Sequence, residues 1–310
     1  YPCFVKQMKA AFSVLARRVA SRAELQAHTR FGAREQWIIR RLVEPFDRIA
    51  RQRLSQAGSA HRLLLEELRR GAQYNLDGYV HEGQVQVLGV VDAIMYPGTQ
   101  AFQRWELPSR LPPQVIDQAA DVAFRFLQAV DFRQGLFNME FFYDAAAGRV
   151  TVIEFNPRLA SQFGDLYRRV SGVDPHAVAL ALATGEDPRR LPRSEPTAAV
   201  AASLVWRAFS AREVPSMPGR ARRADLARAL PDALLFTLPK SRSAIERDFK
   251  WLDSYRYGLV HLGARDADDL RHRCARAAAV LGWPNAPYAE GVADATTADS
   301  FLDPVLTAGD

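Results

Sequence analysis

The sequence predicts an α+β fold, on three observations. Residues 73–94 and 137–158 each read as a β-hairpin, residues 115–130 read as an amphipathic helix, and from Leu191 the composition shifts into a second stretch of strand and helix. With 310 residues the chain is long enough for two domains, or for one large domain with a lid. Its 48% hydrophobic and 25% charged residues are ordinary for a globular protein. No apolar run approaches the length of a bilayer span, no signal peptide is visible, and no membrane partner is expected. The chain opens at Tyr1-Pro2 without an initiator Met, so a further N-terminal region is expected ahead of it.

Composition narrows the chemistry further. Cys3 and Cys274 lie almost a chain length apart without metal-ligand spacing, which suggests a reducing compartment and no disulfide framework. The net charge of +6 comes mainly from arginine, spread through amphipathic helices rather than gathered in one block. That distribution fits a solvated surface with phosphate-binding groups, and no nucleic-acid partner is expected. The six histidines are scattered, and none pairs with a Cys or Ser in sequence. They read as surface or packing residues. No zinc spacing, Gly-x-Ser-x-Gly elbow or internal repeat is present.

Residues 3–20 read as two short strands around a tight loop that has no glycine, so the loop is not a Walker-type phosphate cradle. Lys6 closes the first strand, where it reads as a surface lysine at a strand end. Ser21-Arg22-Ala23-Glu24 is a capping box that opens a helix. Residues 34–43 and 46–54 follow as a helical pair broken at Pro45, and a Ser/Gly-bearing link spans Ser55 to Ser59. The apolar strand from Arg62 to Leu68 runs into Glu66 and Glu67. The strands Gln73 to Val80 and Val85 to Ile94 turn at His81-Glu82-Gly83. Residues 97–110 are polar, aromatic and loop-like. The helix of residues 115–130 carries Ile116, Ala119, Ala120, Ala123, Phe126, Leu127 and Val130 on one face.

The second hairpin carries the chemistry. Residues 137–143 and 149–158 are rich in aromatic and β-branched side chains, with Asp144-Ala145-Ala146-Ala147-Gly148 between them. A loop centred near Ala147 sets Glu140 opposite Glu154 and Asn138 opposite Asn156. Because side chains alternate along a strand, these four then share one face, while Met139, Phe141, Ile153 and Phe155 face the core. Two carboxylates placed across a strand pair have Cβ atoms roughly 5 Å apart and repel. A divalent cation turns that repulsion into a site, because Mg²⁺ takes one or two carboxylates and completes its shell with water and phosphates. The alternative is a salt-bridged face, with Arg133 or Arg158 as counter-charge.

Glu140 followed by Glu154-Phe155-Asn156-Pro157-Arg158 resembles the metal-binding hairpin of the ATP-grasp superfamily, whose pattern is Glu, an interval, then Glu-x-Asn-x-Arg. The resemblance implies two Mg²⁺ ions (Mn²⁺ as a substitute) on Glu140, Glu154 and Asn156, with Arg158 at the transferred phosphoryl group. Lys6 resembles the family's nucleotide lysine, although Gln7 stands where Pro is usual and Ala10-Ala11-Phe12-Ser13 replaces a Gly/Ser-rich loop. Lys9 and Ser13 are then the polar contributors to the phosphate-covering loop. Glu66-Glu67-Leu68, with Gly71 and Tyr74-Asn75-Leu76-Asp77-Gly78, is similar to the family's adenine hinge and its "Tyr-Ser-Val-Asp-Gly" run. By that likeness Glu66 and Glu67 take the adenine amino group and ribose side, and Leu68 gives a backbone contact. In relatives the counterpart of residues 97–110 is a substrate-side loop.

The implied architecture is an ATP-grasp core at 1–190 (1–67 and 68–190 flanking a nucleotide cleft), a small α+β lid at 191–284 and a weakly ordered tail at 285–310. The run from Ser254 to Gly263 with the helix at 267–281 is similar to the lid of carboxylase-like members. The implied activity is an ATP-dependent ligase that makes an acyl phosphate from a carboxylate for attack by an amine. A cytoplasmic location goes with it, and a homodimer is allowed. A biotin-carboxylase-like enzyme is the nearest alternative, but the Gln and Glu it places beyond the Asn-x-Arg motif are here Ala160 and Gln162. The non-enzymatic alternative is a nucleotide-binding module on the same scaffold.

Overall fold

The structure is a computed structural model and describes residues 1–8, 15–53, 62–284 and 286–288. In chain order it begins with β1 (Cys3–Gln7), β2 (Arg17–Val19), α1 (Arg22–His28), α2 (Ala33–Arg53) and β3 (Leu63–Glu66). Next come β4 (Ala72–His81), β5 (Gln84–Met95), β6 (Phe102–Leu107), α3 (Pro113–Ala129), β7 (Gly135–Asp144) and β8 (Arg149–Asn156). The rest holds α4 (Gly164–Ser171), α5 (Pro175–Thr184), β9 (Val200–Ala208), α6 (Arg220–Ala229) and β10 (Leu234–Thr237). Helix α7 (Arg242–Leu252), β11 (Tyr255–Ala264) and α8 (Ala267–Leu281) complete it. Two compact units result: residues 1–69 with 240–255, and residues 70–239 with 256–310. No helix among the described residues is long and apolar enough to cross a membrane. Both cysteines are free thiols.

In the first unit β1 is the middle strand of a three-stranded antiparallel sheet, ordered β2-β1-β3. Ser21 caps the helix as read, its Oγ accepting from Glu24 N at 3.2 Å, whereas the Glu24 carboxylate accepts from Ala20 N at 2.7 Å, one residue ahead of the cap, instead of from Ser21 N. Pro45 does not divide a helical pair. Helix α2 runs through it from Ala33 to Arg53. An internal proline costs about 3 kcal/mol through a lost hydrogen bond and a ring clash. Here the ring is exposed, and Ile39, Val43 and Asp47 hold one buried face on both sides of it. Ile39 and Val43 pack with Leu15 and with Trp251 of α7.

The second unit is built on an eight-stranded sheet ordered β10-β11-β9-β6-β5-β4-β7-β8. Its β4–β5 hairpin turns at Glu82 (φ +49°) and Gly83 (φ +79°), the left-handed pair that matches the right-handed strand twist. One sheet face packs Leu76, Val80, Val90, Phe137, Met139 and Phe141 against Val115, Ala119, Ala123 and Leu127 of α3. Val115 joins that stripe, whereas Phe126 and Val130 are largely exposed at its margin. Phe126 nevertheless covers Phe155, ring stacked on ring at 3.9 Å. The opposite face packs Val91, Trp105, Leu107, Ala201 and Val205 against Leu166 and Tyr167 of α4.

Residues 97–110 are not one loop. Phe102–Leu107 form β6, a central strand between β5 and β9. Its run conceals the strand because Gln103, Arg104 and Glu106 are polar yet buried, Arg104 pairing with Glu106 at 2.7 Å. Strands β9, β10 and β11, from residues 191–284, extend the sheet begun by β4–β8, and α7 groups with the first unit. Of the segment 285–310, only residues 286–288 are described.

Candidate functional site

The β7–β8 hairpin sets Glu140 directly across from Glu154, and Asn138 from Asn156. Asp144 stabilises its turn by accepting from Ala146 N (3.0 Å) and Ala147 N (3.1 Å), and Gly148 supplies a φ of +59°. A bulge follows the acid pair: Phe141 faces Val152, so Ile153 is the extra residue on β8. Ile153 is therefore half-buried and stays out of the main core cluster, whereas Met139 and Phe141 are fully buried there.

Neighbouring β4 adds a polar stripe to the same face. Asn75 lies opposite Glu140 and Asp77 opposite Asn138, with Gln73 one step along. All three are buried. Gln73 Nε2 donates to Glu140 Oε2 at 3.0 Å. Asn138 Nδ2 donates to Asp77 Oδ1 at 2.9 Å and lies 3.4 Å from Asn75 Oδ1. The Tyr167 hydroxyl, from α4, donates to Asp77 Oδ2 at 2.9 Å. On β8, Asn156 Nδ2 donates to Glu154 Oε1 at 2.9 Å, which leaves the Asn156 carbonyl oxygen to accept or ligate.

Electrostatics mark this face as strained. Burial, reinforced by the Glu154 charge, pushes the Glu140 carboxyl up to about 7, against the opposing pull of Arg158 and the Gln73 amide. Burial likewise pushes Asp77 up to about 7, although Asn138 and Tyr167 donate to it and Arg158 attracts it. Burial and the neighbouring Asp77 raise the Tyr167 hydroxyl well above its ordinary range. The salt-bridged alternative does not occur: among the described residues neither Glu140 nor Glu154 has an ion-pair partner, and Arg133 pairs with Asp131 at 3.4 Å. Arg158 is exposed and donates to Leu159 O at 3.4 Å.

The donors here are hard oxygens: two carboxylates and one side-chain amide. No group of three or more His, Cys, Asp or Glu residues fit for a metal exists among the described residues. That smaller set suits Mg²⁺, which binds proteins through one or two carboxylates and takes the rest of its shell from water and substrate phosphates.

The other sequence-derived residues lie in the first unit. Lys6 Nζ pairs with Glu66 at 2.7 Å across the β1–β3 ladder, where Phe4 faces Glu66 and Lys6 faces Leu64. Glu67 pairs with Arg69 at 3.2 Å just beyond β3, and Leu68 is half-buried in the connection. Lys9 and Ser13 lie outside the described residues. The structure thus joins Lys6 with Glu66 in one unit, and Glu140 with Glu154 and Asn156 in the other. Gln73, Asn75, Asp77 and Tyr167 were not singled out from the sequence as members of the polar face. The alternation Gln73-Tyr74-Asn75-Leu76-Asp77 carried that signal, polar on one face and apolar on the other.

Comparison with known proteins assigns the class. The family description "ATP-grasp domain" matches residues 1–165 of the 310, and the chain belongs to that family. A D-alanine–D-alanine ligase of Synechococcus sp. (strain RCC307) is 26% identical over 164 residues, 52% of this chain and 42% of the relative. The crystal structure of an L-amino acid ligase from Bacillus licheniformis matches with a TM-score of 0.58 at 13% identity, over 90% of this chain and 61% of that one. The biotin carboxylase domain of a Hydrogenobacter thermophilus 2-oxoglutarate carboxylase, solved with MgADP, ADP and bicarbonate, matches with a TM-score of 0.52 at 15% identity. That match covers 91% of this chain and 56% of the domain. The α+β fold is that of ATP-grasp proteins. The chain spans less than two thirds of the length of each of these relatives.

Proposed function

We propose that this chain carries the nucleotide-binding and phosphoryl-transferring part of an ATP-dependent carboxylate–amine ligase. In this reading ATP phosphorylates a carboxylate, an amine attacks the resulting acyl phosphate, and ADP and phosphate leave. The observation that carries it is the Glu140–Glu154 pair, face to face across two strands, with no ion-pair partner for either acid among the described residues. Glu140, Glu154 and the Asn156 carbonyl oxygen would hold Mg²⁺, with two ions as in the family pattern. Bound there, Mg²⁺ supplies neutralisation of the phosphate charge. Arg158, unpaired among the described residues and with a planar fork that matches phosphate oxygens, would meet the transferred group. Lys6 would contact the nucleotide phosphates, covered by Lys9 and Ser13, while Glu66, Glu67 and Leu68 would lie along adenine and ribose.

Phosphoryl transfer asks a protein mainly for positioning and charge balance, and Glu140, Glu154, Asn156 and Arg158 would supply both around the metal. No general base is needed for the first half-reaction, because a carboxylate is already a nucleophile at neutral pH. The D-alanine–D-alanine ligase, 26% identical over 164 residues, supports this reading over a carboxylase. So does Gln162, whose amide is committed to Ser203 Oγ at 2.9 Å. The test is a pairwise screen of amino acids for ADP release by the full-length protein. Release that needs both a carboxylate and an amine supports the ligase. Release driven by bicarbonate alone indicates the carboxylase, and nucleotide binding without turnover indicates a binding module.

A further inference from the structure

Glu140 is the more buried of the facing acids, and one of its oxygens is already committed. Gln73 Nε2 donates to Oε2 at 3.0 Å from the adjacent strand, and Gln73 itself is only 9% exposed. The register explains the reach. Asn75 stands opposite Glu140, so Gln73, two residues earlier on β4, points from the same face one diagonal step away. Among the described residues Glu140 Oε1 has no hydrogen-bond donor. A neutral amide at this place has a particular consequence. It orients a crowded carboxylate without adding a cation that would compete for the metal or an anion that would increase the repulsion.

We propose that Gln73 is the positioning residue of this site, holding Glu140 by one oxygen so that the other is presented to a divalent cation shared with Glu154. The inference rests on the metal reading given above. Residues that orient metal ligands typically contribute 10–100-fold to metal affinity, so removing the donor should cost about 10-fold. Gln73 need not touch nucleotide or substrate for this role.

The test is Mn²⁺ binding in the presence of ADP, followed by the loss of the free Mn²⁺ electron paramagnetic resonance signal. Gln73→Leu and Gln73→Met both keep the volume and remove the donor, so either serves if the other folds poorly. The expected result is an affinity for Mn²⁺ about 10-fold weaker in both, with metal-free ADP affinity unchanged and a far-UV circular dichroism spectrum like that of the wild type. Glu154→Gln is the control that separates the two readings. Wild-type Mn²⁺ affinity in both Gln73 variants, with loss in Glu154→Gln, overturns the positioning role and leaves the metal site standing. Wild-type affinity in Glu154→Gln as well overturns the metal reading and this inference with it.

Discussion

Glu140 and Glu154 face one another across β7 and β8, and neither forms an ion pair with a basic side chain among the described residues. Facing like charges on a strand pair destabilise it, and burial of Glu140 adds to the cost. The hairpin tolerates them because its other face is firmly held: Met139 and Phe141 are fully buried, and Phe155 lies under Phe126. Packing on one face thus offsets repulsion on the other.

The Lys6–Glu66 pair should matter for binding far more than for folding. Both side chains are partly exposed, and such ion pairs contribute about 0–1 kcal/mol. Lys6→Ala should therefore shift the denaturation midpoint only slightly. Its affinity for ADP should fall roughly 10–100-fold, the loss of a charged hydrogen bond to phosphate. Isothermal titration with ADP, alongside urea unfolding, checks both halves.

Two buried carboxyls give the metal-free chain a pH dependence of definite sign. Asp77 and Glu140, ordinarily at 3.8 and 4.5, are both raised to about 7. Between about pH 4 and 7 the folded chain therefore holds more protons than the unfolded one, and stability falls as pH rises through that window. The decline levels off above about pH 7. Acids with depressed values, such as Asp165 and Asp174, act in the opposite sense and at lower pH. Urea unfolding at pH 5.5 and pH 8 should show the decline, and Asp77→Asn should remove a large part of it.

Gly71, at the entry to β4, adopts φ +116°, and a Cβ there would lie 2.3 Å from the Tyr143 carbonyl oxygen. Neither the dihedral nor the contact with rigid backbone accommodates a side chain. Gly71→Ala should destabilise by at least about 2 kcal/mol, measured as a lower urea midpoint at unchanged slope.

The hairpin was legible because its period-two pattern, its glycine-bearing loop and its out-of-place acids all demanded the same register. The bulge at Ile153 was not, since one extra residue leaves no compositional trace. Strand β6 was hidden for a related reason: Arg104 and Glu106 look like loop residues until their mutual ion pair lets them be buried. Pro45 misled because local propensity favours a break, while the Ile39–Val43–Asp47 face favours continuity. The Gln73–Asp77 stripe was visible only as alternation, and its place beside Glu140 comes from strand order, which sequence spacing does not encode.

The most direct test measures ADP affinity with and without Mg²⁺, for the wild-type chain and for Glu154→Gln. Mg²⁺ should tighten ADP binding to the wild type by about 10-fold or more and have little effect on Glu154→Gln, whose metal-free affinity stays unchanged. The same Mg²⁺ dependence in both proteins would contradict the assignment of the facing acids as the metal site.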